Sequence, residues 1–178
     1  MFPVMAGGEL MGVGEDMTRR LYAEVEGLSS GPHKFRPDRR HEIIVGSDGS
    51  VVHETGGWGF VAITSNPQQL VACDAGTLNP GPGTMSSYRA ELAGVLAPMR
   101  QLYARFRTRV VLHYVDNEAV EKMARRVWQG DYKVASSADL WDEIIHWARK
   151  WGDNYRIVWH RGHPERRQPD KRESTGAT

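Results

Sequence analysis

Three carboxylates, Asp48, Glu91 and Asp116, stand at positions where their surroundings call for a bound cation. Asp48 lies inside Ile43-Ile44-Val45-Gly46-Ser47-Asp48-Gly49-Ser50-Val51-Val52, a β-branched run with one carboxylate in its middle and a glycine directly after it. Asp is depleted in strands, and burying a polar group without a partner costs ~2–7 kcal/mol, so a strand keeps such a residue when something positive meets it. An Asp-Gly pair flanked by hydrophobics also reads as the tip of a hairpin. Glu91 falls in the first turns of a helical pattern, where a solvated acid near a helix N-terminus is an ordinary find, and Asp116 ends a strand-like run, where an Asx turn is one. As a set, three carboxylates within a few ångströms repel one another unless cations hold them. Hard oxygen ligands at an open site suit Mg²⁺ or Mn²⁺ rather than zinc. Such a cluster commonly binds two ions ~4 Å apart and drives in-line phosphoryl transfer.

Bringing the three together requires particular elements. Strand one runs from about His41 to His53, and a glycine turn at Gly56 and Gly57 leads into a second strand, Trp58 to Thr64. Asn66-Pro67 turns the chain into a third, Gln69 to Ala75, completing an antiparallel meander. Asn79-Pro80-Gly81-Pro82-Gly83 sustains neither ladder nor helix. From Ser86 the period becomes helical: Leu92, Val95, Leu96, Met99, Leu102, Tyr103 and Phe106 share one face. Pro98 lies inside that pattern and is expected to kink the helix or split it. Residues 109–115 form the most strand-like run, ending at Asp116, and a second helix follows from Asn117 to about Trp128. Ser136 and Asp139 have capping-box spacing before a third helix, whose buried side is Leu140, Trp141, Ile144, Ile145, Ala148 and Trp151. Tyr155 to His160 is the last strand. The expected order is β-β-β-α-β-α-β, an α/β fold with a mixed five-stranded sheet and helices on its faces. If strand four, reached by a crossover, lies parallel beside strand one, Asp48 and Asp116 become neighbours and the first helix hangs Glu91 over both.

Composition bounds the rest. The chain has 178 residues, enough for one domain with tails, and its 40% hydrophobic and 25% charged content is that of a globular protein. It has no long apolar run and no basic-then-apolar leader, so the expectation is an intracellular protein with no membrane partner. Cys73 is the one cysteine, which excludes an internal disulfide and a cysteine-based zinc cluster. A net charge of +1 hides two basic groups, Lys34, Arg36, Arg39 and Arg40 before the first strand and Arg161, Arg166, Arg167, Lys171 and Arg172 near the end. Such groups meet phosphate, or are solvated tails. Residues 1–40 read as a poorly structured extension in which Met17, Leu21, Val25 and Leu28 share one face of a short helix over residues 15–28. The domain is expected over 41–163, and 164–178 as a basic tail of a truncated chain.

In their order and spacing these stretches resemble the ribonuclease H family. The matching residues are Ile44-Val45-Gly46-Ser47-Asp48-Gly49-Ser50, Tyr88-Arg89-Ala90-Glu91-Leu92, Tyr114-Val115-Asp116-Asn117, Asp139-Leu140-Trp141, and Trp159-His160-Arg161-Gly162-His163. The Gly-His-Pro-Glu-Arg-Arg run is similar to ribonuclease H parts of retroelement polyproteins. The resemblance implies an endonuclease that cuts the RNA strand of an RNA–DNA hybrid, with Asp48, Glu91 and Asp116 binding Mg²⁺ or Mn²⁺, two ions in all. It implies that His163 assists proton transfer or product release. It also places Gly49, Ser50, Ser87, Tyr88 and Asn117 against the hybrid, where recognition of 2′-hydroxyls separates RNA from DNA. A reverse transcriptase or polymerase domain in a longer polypeptide is the implied partner.

The sequence departs from the family pattern in several places. The family's fourth carboxylate opens a final helix after the Gly-His loop, whereas here Asp170 is the nearest Asp and no helical period follows it. Either Asp170 substitutes, or the fourth ligand belongs to a helix beyond Thr178. Asn117 stands where many members have Ser, and the loop 129–137 is short beside the basic handle of cellular members. A duplex-binding domain of a larger retroelement protein, with weak or no catalysis, is the alternative. Exonucleases of related fold open with Asp-x-Glu where this chain has Asp48-Gly49-Ser50, and transposases place their Glu last, whereas Glu91 lies between the two aspartates.

Overall fold

A computed structural model of the chain describes residues 42–65, 67–78 and 85–160. The expected short helix over residues 15–28 and both basic groups lie outside the described residues. β1 (Ile43–Val52), β2 (Thr55–Ser65) and β3 (Gln68–Leu78) form the antiparallel meander. α1 (Ser87–Phe106), β4 (Val111–Val115), α2 (Glu118–Trp128), α3 (Ala138–Trp151) and β5 (Tyr155–Trp159) follow, with a short 3₁₀ turn at Gly152–Asn154. The sheet order is β3-β2-β1-β4-β5, with β4 parallel to β1 and β5 parallel to β4. This is the mixed five-stranded α/β sheet that the strand pattern predicts. The last crossover carries two helices, so the element order is longer by one helix than β-β-β-α-β-α-β.

Strand alternation sorts the apolar residues onto two faces. Ile43 and Val45 of β1, Phe60 and Ala62 of β2, Val111 of β4 and Tyr155 of β5 share one face and join a single core with all three helices. On the other face Ile44 pairs with Ile63, and Gly46 with Val61. α1 is buried almost all round from Arg89 to Met99 because it lies between β1–β2 and α3. The six residues expected to form the buried side of α3 are those that do so. Trp151 also donates its indole N–H to the Met99 carbonyl at 2.9 Å, tying α3 to α1.

Three local expectations give way. The turn between β1 and β2 is His53-Glu54, at φ 47° and 64°, and Gly56 and Gly57 are strand residues opposite Val51 and Ser50. A two-residue hairpin that follows the right-handed strand twist needs positive φ at both positions, whatever side chains occupy them. Pro98 neither ends nor splits α1, which runs unbroken through it. An interior proline costs ~3 kcal/mol, and burial of the surrounding turns against sheet and helix outweighs it. The capping box at Ser136 is absent: the N-cap is Ser137, left-handed at φ 52° and without a side-chain cap bond. Asp139, its intended partner, is taken by Arg89 of α1.

Candidate metal centre

The parallel register of β1 and β4 sets the site. Ile43 pairs with Val111 and Gly46 with Tyr114, and continuing that register by two residues sets Asp48 level with Asp116. Asp48 is thus mid-strand, not at a hairpin tip, and its Oδ1 accepts from the Gly49 N–H at 2.9 Å. Asp116 lies just past the end of β4 and is exposed. Its backbone is held from the neighbouring strand, where the Trp159 indole N–H donates to the Asp116 carbonyl at 3.3 Å and the His160 N–H donates to Val115 at 2.8 Å.

Glu91 arrives from above on α1. Ser86 starts that helix, its hydroxyl accepting from the Arg89 N–H at 3.1 Å. Two glycines let the helix come down onto the strand. A Cβ on Gly49 would lie 2.2 Å from the Ala90 carbonyl carbon and 2.3 Å from the Glu91 nitrogen. A Cβ on Gly94 would lie 3.1 Å from the Asp48 carbonyl oxygen. Glu91 is therefore buried, at 7% exposure, over the strand that carries Asp48. A carboxylate oxygen of each of Asp48, Glu91 and Asp116 lies within 4.8 Å of the others. An all-oxygen, all-anionic donor set at this spacing, with one member open to solvent, fits Mg²⁺ or Mn²⁺ and not a soft metal.

The neighbouring arginine is not available to neutralise this cluster. Arg89, also buried, points to α3 and forms a two-pronged pair with Asp139, one prong 2.7 Å long. That pair holds the Asp139 carboxyl below the usual range and raises Arg89 further.

The expected substrate residues have mixed placements. Ser87 is exposed at the first position of α1, and Ser50 is half-buried in β1 opposite Gly57. The Tyr88 hydroxyl accepts from the Trp141 indole N–H at 3.1 Å, and burial raises its pKa, so it stays protonated. Asn117 caps α2, its side-chain oxygen accepting from the Ala119 and Val120 N–H groups at 3.0 and 3.2 Å. Gly49 is the point where helix and strand touch. His163 and Asp170 lie outside the described residues.

Sequence reasoning missed the contact of Trp159 with Asp116 and a buried chain on the helix face of the sheet. Ser47 Oγ is 2.6 Å from His113 Nε2, and His113 Nδ1 is 2.7 Å from the Tyr155 hydroxyl. Complete burial pushes the His113 pKa down to about 3 and the Tyr155 pKa well above its ordinary value. His113 is therefore a neutral hydrogen-bonding element across β1, β4 and β5. Its signal was available only after pairing β1 with β4, which brings Ser47 next to His113.

No protein-family model and no curated protein matches the chain. Solved structures do. The native prototype foamy virus protease-reverse transcriptase aligns with 77% of this chain at 18% identity and TM-score 0.56, the match spanning 19% of that longer chain. LC11-RNase H1, solved with an RNA/DNA hybrid, aligns with 66% of this chain and 84% of its own at 18% identity and TM-score 0.52. The N-terminal RNase H domain of a Mycobacterium tuberculosis protein, solved as a maltose-binding-protein fusion, aligns with 67% of this chain and 82% of that one at 17% identity and TM-score 0.53. At these identities the likeness is one of fold, and the chain has a ribonuclease H-like fold.

Proposed function

We propose that this domain is an endonuclease that hydrolyses the RNA strand of RNA–DNA hybrids, using two divalent cations. The observation that carries the reading is the convergence of Asp48, Glu91 and Asp116 within 4.8 Å inside a ribonuclease H-like fold. When bound, Mg²⁺ or Mn²⁺ activates a water and stabilises the charge of in-line displacement at phosphorus. The chain's own residues hold and orient. Asp48 and Asp116 fix one edge of the site through strand register, and Glu91 closes it from α1. Trp159 steadies the carbonyl of the exposed ligand Asp116. Ser87, exposed at the start of α1, and Ser50 face the hybrid. Tyr88 stays protonated and offers its hydroxyl to the sugar-phosphate backbone. In this reading Asn117 acts through the cap of α2, and Gly49 by letting α1 approach, as well as by admitting substrate backbone. His163 moves a proton, and Asp170 supplies a fourth carboxylate.

Foamy virus protease-reverse transcriptase among the similar structures supports a reverse transcriptase or polymerase domain as partner in a longer intracellular polypeptide. No helix among the described residues is long and apolar enough to cross a membrane. The second reading is a duplex-binding domain of a larger retroelement protein with weak or no turnover.

The test is cleavage of an end-labelled RNA–DNA hybrid with Mg²⁺ or Mn²⁺, leaving 3′-hydroxyl and 5′-phosphate ends. Asp48→Asn removes ligand charge while nearly preserving shape and is expected to abolish cutting. An Asp48→Asn protein as fast as the parent would refute the assignment. Salt-sensitive hybrid binding without cleavage would select the second reading. Robust cleavage that Asp170→Asn abolishes would make Asp170 the fourth ligand.

A further inference from the structure

One histidine stands beside the carboxylates. Of the histidines among the described residues, His53 turns the hairpin between β1 and β2, His113 is buried with Ser47 and Tyr155, and His146 lies on α3. His160 directly follows β5, the neighbour of β4, and is exposed. Val115 pairs with Trp159, and one further step of that parallel register sets Asp116 level with His160. Two hydrogen bonds fix this end of the sheet. The His160 N–H donates to the Val115 carbonyl at 2.8 Å, and the Trp159 indole N–H donates to the Asp116 carbonyl at 3.3 Å. Across three neighbouring strands the order at one level is therefore Asp48, Asp116, His160. The faces agree as well. Tyr155 lies in the core, so alternation sets Val158 and His160 on the opposite face, together with Tyr114 and, two residues on, Asp116. The ring contact matches: the His160 imidazole meets the Tyr114 ring edge-on, with centroids 6.3 Å apart.

Resting on the metal-dependent reading above, we infer that His160 gives a ring nitrogen to the cation on the Asp116 side of the centre, so that the centre prefers Mn²⁺ to Mg²⁺. Asp48 and Asp116 show what level placement on adjacent strands achieves here, since their carboxylate oxygens lie within 4.8 Å of each other. His160 has the same relation to Asp116 from the other side, adjacent strands being ~4.8 Å apart. Its ring is exposed and makes no hydrogen bond among the described residues, so it turns from Tyr114 toward Asp116 without breaking one. Its backbone is tied to β4, so the reach is set by strand register and not by a wandering loop. The chemistry then separates two ions that an all-oxygen set leaves nearly equal. Mg²⁺ takes oxygen ligands and keeps several waters, whereas a nitrogen donor adds affinity for a first-row transition ion and little for Mg²⁺. The ordinary account of an exposed histidine after a strand is a solvated side chain. Such a side chain would leave metal binding as it is, and that difference is measurable.

The test uses the untagged full chain, without nucleic acid, loaded with Mn²⁺. Pulsed electron paramagnetic resonance is expected to show the nitrogen hyperfine coupling of a coordinated imidazole in the parent and none in His160→Ala. Calorimetric titration is expected to show Mn²⁺ binding weakened ~10-fold or more in that variant, the scale on which metal sites lose affinity when a supporting group is removed. Mg²⁺ binding and the circular dichroism of the fold stay as in the parent. Mn²⁺ bound by the parent without nitrogen coupling would overturn the inference and leave the carboxylate centre standing. So would a coupling that persists in His160→Ala, including one that His163→Ala removes, and so would equal weakening of Mn²⁺ and Mg²⁺. Asp48→Asn tells the two levels of argument apart. It is expected to diminish Mn²⁺ binding, and unchanged binding there would place the ion away from the carboxylates, overturning the inference and the reading together.

Discussion

Gly49→Ala is the sharpest test of how the site is assembled. The added methyl meets backbone, the Ala90 carbonyl carbon at 2.2 Å, the Glu91 nitrogen at 2.3 Å and the Ala90 oxygen at 2.5 Å, so no side-chain rotation relieves it. Ordinary contact begins near 3.4 Å, and the first turns of α1 must therefore rise from β1 by about 1.2 Å, the difference between 3.4 and 2.2. Overpacking of this kind costs ~1–3 kcal/mol of stability, which a folded domain can survive. The site is less tolerant, because Glu91 moves with the helix while Asp48 and Asp116 stay with the sheet. Metal–ligand distances hold to about ±0.2 Å, and a ~1 Å misplacement costs ~100-fold in rate. The assay is hybrid cleavage against Mg²⁺ concentration, beside circular dichroism to show that the fold persists. Expected are a rate ~100-fold lower and a demand for more Mg²⁺. Gly57→Ala is the control, since a Cβ there would find its nearest atoms at 3.9 Å. Equal rates and equal Mg²⁺ dependence for the two variants would refute the argument. Were Gly49 needed only for approach of the substrate backbone, KM would rise while Mg²⁺ binding without nucleic acid stayed as in the parent.

Three further outcomes follow from the same geometry. Carboxylates within 4.8 Å repel without a cation, so Mg²⁺ at ~100 times its Kd is expected to stabilise the domain by ~2.7 kcal/mol, reversibly with chelator, and Asp116→Asn to diminish this; identical melting with Mg²⁺ and with chelator would count against the centre. His113 has a pKa of about 3 when folded against 6.5 ordinarily, so the unfolded chain binds the extra proton, and this contribution is whole above pH ~6.5 and lost as pH falls toward 3. Between pH 7 and pH 5 the loss is about 2 kcal/mol, measured by urea unfolding, and His113→Gln should flatten that slope; an equal slope in the variant refutes the assignment. Asp139→Asn leaves the buried Arg89 charge without its carboxylate and is expected to cost ~2 kcal/mol in urea, a loss that parent-like unfolding would contradict.

Elements with a strong period were legible, and exceptions arose where a distant residue decided. The β-branched runs of β1 and β4 and the six-residue stripe of α3 carry their own signal. The capping box at Ser136 was locally correct and failed because Arg89, from a different helix, claims Asp139. The hairpin turn was misplaced because glycine marks low cost for positive φ, not its necessity; pairing Val52 with Thr55 leaves only His53 and Glu54 to turn. Gly56 serves packing instead, since a Cβ there would lie 2.6 Å from the Met85 sulfur.

The site was legible for a different reason. No single residue in it is informative, since an Asp in a strand, an Asp after a strand and a Glu in a helix each have ordinary explanations. The inference needed one long-range assumption, that β4 lies parallel to β1, and the observed pairing of Gly46 with Tyr114 makes Asp48 and Asp116 level without adjustment. What the sequence could not convey was how close the third carboxylate comes, because that depends on the absence of two methyl groups, at Gly49 and Gly94, where α1 touches β1. Of the two, Gly49 had been open to another reading, as part of an Asp-Gly hairpin tip. Their shared role appears only when helix and strand are placed together. In the proposed function the carboxylates supply the chemistry, and the glycines set the distance at which Glu91 meets the other two.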